Sequence, residues 1–211
     1  MAQPAIISTD RTMLSANAIA SLHDQLTQSW HSPGHPAEQL SDPWLTLVAR
    51  QHRANFDLWH IEDEARTPGA TDAQLADVKH RIDRTNQLRN DLAEQLDRSL
   101  LDSLTPQNLP QPNAPLNSES PGLIIDRLSI LALKIYHTRE EAQRADASSD
   151  HTQRNRTRLA ILEEQRSDLT ACLDALWNET LAGTRRFKLY RQLKMYNDPA
   201  LNPAIYRNTP R

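Results

Sequence analysis

Glycine and proline set where a chain can be broken, and here their placement narrows the fold more than any other feature. The four glycines are Gly34, Gly69, Gly122 and Gly183. The prolines fall at the ends, in the first loop, around Pro68, between Ser103 and Pro121, or after Asn197. The intervals between these points are long and free of breakers. Asp42-Pro43 reads as an N-cap followed by proline at the first helical position, and Thr67-Pro68-Gly69 reads as a stop, which brackets a helix over 43–66. Thr71-Asp72 opens a second helix, carried by Leu75, Val78, Ile82, Thr85, Leu92 and Leu96 to about Ser103. A third begins near Gly122 with LIIDRLSILALKIYHTREEAQRA. A fourth runs from about His151 through Leu159, Leu162, Leu169, Leu173 and Leu176 to Gly183. Ahead of them, Leu14, Ala18, Leu22 and Leu26 recur every four residues and predict a helix from about Thr12 to Trp30 that covers one side of the others. No stretch shows the alternation of a strand, so the class is all-α.

Each half is a long helix, a turn and another long helix, the pattern of an αα-hairpin. The expected architecture is an antiparallel helical bundle of two long hairpins, 43–102 and 122–182, plus the N-terminal helix. The linker 103–121 holds five prolines, has no periodicity and reads as non-helical. Fully extended, it reaches about 65 Å against about 45 Å for a thirty-residue helix, so the relative direction of the hairpins is left open. A single helical domain is expected over 12–203, ending in a basic segment, 184–203, with extended ends at 1–11 and 204–211.

Composition excludes several functions. Apolar residues make up 38 % of the 211 residues and the formal net charge is -3. A mean hydropathy of -0.68 and no apolar run near 18 residues predict a wetted surface and no membrane span. No secretory signal pattern opens the chain, and a lone cysteine, Cys172, fits a reducing compartment, so a cytoplasmic location is expected. Net negative charge argues against a nucleic-acid partner. There is no Gly-rich phosphate loop, GxSxG elbow, HExxH or CxxC. Cys172, among Leu169, Leu173 and Leu176, reads as core.

The densest chemistry lies in NFDLWHIEDEAR, 55–66. On a helix, Asn55, Trp59, Glu62 or Asp63, and Arg66 fall on one face. A solvated face has little use for Trp and a core face has little use for Glu beside Arg, so this face is a buried polar network or a binding site. The third helix carries Asp126 and His137 on its apolar side and Arg127 and Lys134 on the neighbouring one. A buried Asp126 needs a cation or amide, and Arg66, Arg84 and Asn86 are the candidates. If the two helices form one wall, Glu62 or Asp63 should face Asp126 or His137.

His60/Asp63 and His137/Glu140 each place a carboxylate three residues after an imidazole. Two such helices face to face could hold Zn, Mn or Fe; no cofactor is expected, a divalent metal being the one for which this pattern leaves room. The bland alternative is that each imidazole bonds a nearby carboxylate. Towards the C-terminus, Arg185, Arg186, Lys188, Arg191 and Lys194 are interleaved with Phe187, Tyr190 and Tyr196. Cations there suit the end of a helix dipole, and Tyr190, Arg191 and Lys194 are candidates for anion contacts in a docked segment.

Three stretches, NFDLWHIEDEAR, SPGLIIDRLSILALKIYHTREEA and KLYRQLKMYNDPALNP, together resemble a bacterial family catalogued as a domain of unknown function. The resemblance runs from about Leu14 to Pro203 and is most specific in the first motif. It implies no activity. It does imply a setting beside genes for glycosyltransferases of cell-surface polysaccharide, and hence a glycosyltransferase or a small anionic ligand as partner. Two readings follow. One is a cytoplasmic helical binding or accessory protein for surface-glycan assembly, using Trp59, Asp63, Arg66, Asp126 and His137 as a pocket or docking face. The other is a metal-dependent enzyme with His60, Asp63, His137 and Glu140 as ligands.

Overall fold

The computed structural model describes residues 14–32, 40–191, 193, 200–203 and 207. Five helices, α1 (Ala16–His31), α2 (Pro43–Glu64), α3 (Asp72–Leu104), α4 (Pro121–Gln143) and α5 (Ser149–Leu181), take more than half of the chain, and the described residues contain no strand. The all-α bundle read from the breakers is the observed one. The start signals act as expected. Asp42 Oδ1 accepts from Trp44 N at 2.8 Å ahead of Pro43. Thr71 and Gln74 close a reciprocal capping box on α3, and Ser148 caps α5. The segment 105–120 is irregular except for one 3-10 turn, Thr105–Gln107, made where Pro106 ends the helical ladder.

Cross-helix contacts fix the directions that the long linker left open. Glu64 meets Arg81, so α2 and α3 are antiparallel, and Arg139 meets Glu163, so α4 and α5 are too. Thr27 meets His52 and His31 lies against His60, while Gln51 meets Asp126 and Trp59 lies on His137. Thus α1, α2 and α4 run the same way and α3 and α5 run against them. The antiparallel expectation holds inside each hairpin, whereas the three parallel helices bring their C-terminal ends to one end of the molecule.

One apolar core draws on every helix, with Ile19, Leu22, Val48, Leu96, Leu100, Leu104, Ile125, Leu128, Leu173 and Trp177 at its centre. Each such side chain contributes about 1.5–3 kcal/mol by leaving water. The stripe on α1 differs from the four-residue spacing read in the sequence: Ile19, Leu22, His23, Leu26 and Thr27 are buried and Ala18 is exposed. Steps of four overshoot a 3.6-residue turn, and the drift carries Ala18 off the face. Cys172 is exposed, not core. The buried stripe of α5 is Thr170, Leu173, Leu176, Trp177 and Thr180, and one residue before Leu173 lies about 100° round the helix, outside it.

Two close contacts anchor the second hairpin. A Cβ on Gly122 would stand 2.3 Å from the carbonyl oxygen of Ala93, so only glycine lets the start of α4 touch α3 there. Asp97 of α3 accepts from Gly122 N at 2.6 Å and from the Ser120 hydroxyl, and burial pushes its carboxyl up to about 6. After α5, the chain turns back on the linker: Asn117 N donates to the Arg186 carbonyl at 2.8 Å and Arg186 N to the Pro115 carbonyl at 3.0 Å. Phe187 follows into the core at 1 % exposure.

Candidate functional site

The facing sides of α2 and α4 build a polar seam inside the bundle. Asp126, 7 % exposed, is its hub. Its Oδ1 accepts from Gln51 Nε2 at 2.6 Å, Asn55 Nδ2 at 2.9 Å and Arg89 Nε at 3.0 Å, and its Oδ2 accepts from Arg89 Nη2 at 2.9 Å. The charge therefore has a bidentate guanidinium and two amides, as burial demands. The cation is Arg89, not Arg66 or Arg84, and the amides are Gln51 and Asn55, not Asn86. Arg89 stands three residues before Leu92 on the inward face of α3, while Arg66 is exposed past the end of α2 and bonds back to the Glu62 carbonyl at 2.5 Å. The seam continues through Ser129 Oγ, which contacts His52 Nδ1 at 2.7 Å and accepts from Asn55 at 2.9 Å, to Thr27 Oγ1, 2.9 Å from His52 Nε2. His23 stacks on His52 with ring centroids 4.5 Å apart. Burial holds His23 well below the ordinary imidazole range and lowers His52 to about 3, so both are neutral.

Towards the shared C-terminal end, the rings gather. His31, half-buried at the end of α1, stacks on Tyr136 at 4.4 Å and lies edge-on to His60 and His137 at 5.2 and 5.0 Å. Trp59 stacks on His137 at 5.0 Å, nearly parallel. Phe56 closes the other side against His31 and His60. Burial, and then the neighbouring His31 and His137, lower the His60 imidazole. The sequence paired His60 with Asp63 and His137 with Glu140. In the structure the ligating atoms of His31, His60 and His137 lie within 4.8 Å of one another, and neither carboxylate joins that group. Glu140 instead accepts from His137 Nδ1 at 3.0 Å, and Asp63 is exposed, 3.9 Å from Arg66.

Trp59 also stands between two clefts of about 420 Å³ each. The first has Asn55, Trp59, Glu62, Asp63 and Arg66 along one wall, the face that helical spacing predicted, with Arg89, Ile130 and Leu133 opposite. Glu62 and Asp63 do not face Asp126 or His137. They lie about two turns beyond Asn55 and turn to Arg66 at 3.5 and 3.9 Å. The second cleft runs between α4 and α5, from Trp59 and His137 to Lys134, Arg158, Ile161 and Leu162. Its one carboxylate, Glu141, already meets Arg144 and His151. Lys134 and Arg158 form no ion pair among the described residues.

The remaining candidates lie elsewhere. Arg127 is taken up by Glu119 at 2.8 and 2.9 Å. Tyr190 and Arg191 are exposed and line neither cleft, and Lys194 lies outside the described residues. What sequence reasoning missed was His31, His52, Gln51, Ser129 and Arg89. Gln51 and Ser129 had a readable signal, because Gln51 precedes Asn55 by four and Ser129 follows Asp126 by three on helices already assigned.

A family model described as "Protein of unknown function (DUF4254)" matches residues 45–189. The match takes in α2 through Phe187, with both clefts, His60 and His137, and leaves α1 and His31 outside. No curated protein and no solved structure matches the chain.

Proposed function

The chain belongs to the family described as protein of unknown function (DUF4254), and from that premise we propose that it is a binding protein for a small anionic ligand that carries an apolar ring face. The observation that carries this reading is the second cleft, in which a Trp59 indole held flat against His137 lies beside two cations, Lys134 and Arg158, that form no ion pair among the described residues, Arg158 reaching only the Asn155 amide oxygen at 3.4 Å. The first cleft is the poorer host: its Arg66 is engaged by Glu62 and Asp63, and its Arg89 by Asp126. An aromatic platform takes the C–H face of a sugar, and a lysine and an arginine at the rim take its phosphate or carboxylate. The setting beside glycosyltransferase genes, which the resemblance of the three motifs implies, supports a sugar phosphate or sugar acid of surface-glycan assembly as the ligand class.

The test is calorimetric titration of the full chain with glucose 1-phosphate, glucuronate, inorganic phosphate and neutral glucose. The two anionic sugars should bind, neutral glucose should not, and inorganic phosphate should bind more weakly than the sugar phosphate. Lys134→Ala with Arg158→Ala should cost at least about tenfold, the worth of one charge-assisted hydrogen bond. Equal heats for charged and neutral sugars, or anion binding untouched by Trp59→Ala and by the double variant, would remove the cleft from consideration.

A further inference from the structure

We propose that His31, His60 and His137 form a three-histidine site for one divalent ion of borderline softness, best matched by Zn2+. The site borders the sugar cleft, whose wall includes Trp59 and His137, but needs neither Lys134 nor Arg158. Three helices each deliver one imidazole to the same end of the bundle, and the ligating atoms already lie within 4.8 Å of one another. An ion with Zn–N bonds of about 2.1 Å needs those nitrogens about 3.4 Å apart, so small ring rotations close the site.

Two of the rings are prepared for a metal and for little else. His31 Nδ1 donates to the Thr27 carbonyl at 2.7 Å, and His137 Nδ1 donates to the Glu140 carboxylate at 3.0 Å. A carbonyl and a carboxylate can only accept, so both protons sit on Nδ1 and both lone pairs on Nε2. Those two Nε2 atoms are buried and have no hydrogen-bond partner among the described residues. Two acceptors are thus left unsatisfied in one place, and a shared ion would satisfy both at once. A carbonyl or carboxylate behind the far nitrogen is also how metal-bound imidazoles are oriented and made more basic.

The surroundings agree in sign and stiffness. Because α1 and α2 are parallel and end at His31 and one turn beyond His60, the negative ends of two helix dipoles approach the cluster, which favours a cation there. Tyr136, Phe56 and Trp59 pack the three rings, limiting the rotamers they would otherwise sample. Three neutral nitrogens leave the fourth position of a tetrahedral ion open. The residues fit zinc, or cobalt as its spectroscopic substitute, better than magnesium or calcium, which select oxygen.

The experiment uses the full chain, stripped with a chelator, dialysed, and titrated with Zn2+ alone. One ion per chain should bind, and Co2+ in its place should give the intense visible absorption of a four-coordinate centre. His31→Gln and His137→Gln should each weaken binding at least about 100-fold. Glu140→Ala, at an exposed position where the fold is not at risk, should weaken it about 10- to 100-fold by freeing the His137 ring. Asp63→Asn and His80→Gln, the latter at an exposed position on α3, checked for native circular dichroism, should leave it unchanged. No stoichiometric uptake by the parent overturns the proposal. So does uptake that survives both Glu140→Ala and a folded His137→Gln, or that is lost with Asp63→Asn.

Discussion

Replacing Asp126 by Asn separates a structural hub from a strained functional carboxylate. The side chain is buried and receives four hydrogen bonds, three on Oδ1 and one on Oδ2. An asparagine that keeps its oxygen at the Oδ1 position retains the bonds from Gln51, Asn55 and Arg89 Nε. Its amide then turns a donor towards Arg89 Nη2, removing a charge-assisted bond worth about 1.5–3 kcal/mol. It also leaves a guanidinium, 24 % exposed, without its anion. Breaking a buried pair by removing one partner costs about 3–5 kcal/mol, and the retained oxygen puts this case at about 3 kcal/mol. For a chain of this size the melting temperature should fall by about 6–12 °C. Urea unfolding should show a lower midpoint with an unchanged slope. Combining Asp126→Asn with Arg89→Met should reveal a coupling of about 2 kcal/mol, because the second change then removes a charge that is already unpaired. Sugar-phosphate binding should persist in the folded fraction, since Asp126 does not line the α4–α5 cleft. A variant as stable as the parent, or more stable, would refute the reasoning and return Asp126 to the role of a strained site held for function.

Asp97, raised to about 6 in the fold against about 3.9 unfolded, stabilises fully below about pH 4 and loses that contribution as the pH rises through 6. Asp97→Asn should therefore gain about 2 kcal/mol on the parent between pH 4.5 and pH 7.5 in urea melts, and a constant difference would refute this. His52, lowered to about 3, contributes in the opposite sense: its stabilisation is complete above about pH 6.5 and is lost as the pH falls towards 3. Buried His23, also held neutral, adds in the same direction, so the Asp97→Asn protein should lose at least about 3 kcal/mol between pH 7 and pH 4, and a flat profile would show that neither ring is held neutral. Gly122→Ala drives a methyl into the Ala93 carbonyl and should cost about 3 kcal/mol, read by the same melts.

The fold was legible because breakers act locally. Asp42-Pro43, Thr71 and Ser148 mark helix starts by hydrogen bonds within one turn, so no tertiary knowledge is needed to find them. The face Asn55, Trp59, Asp63 and Arg66 was legible for the same reason, since one helix fixes its phase. What depends on two helices was not. Arg89 and Arg84 both sit on α3, and only the turn of α3 towards α4 makes the first the partner of Asp126. His31 escaped because α1 shows a plain apolar spacing whose last residue gains meaning only where α2 and α4 end beside it. The hairpin directions were open because a linker of that length permits either, and contacts such as those of Gly122 with Ala93 and Asp97 decide between them.

The hub on α4 has a consequence for how the chain is made. A ribosome releases α1 and the α2–α3 hairpin before α4, with Gln51, Asn55 and Arg89 aimed at an acceptor that has not yet been synthesised. Core residues such as Leu100 and Leu104 likewise await Ile125, Leu173 and, last, Phe187. The N-terminal half is therefore a partner without a receptor during synthesis, and among the described residues the last of the core to arrive is Phe187, close to the end of the matched span. Nascent chains stopped before Phe187 should hold an unfinished core and be clients for chaperones, so that completion of the message, more than any local helix, sets when this protein becomes itself.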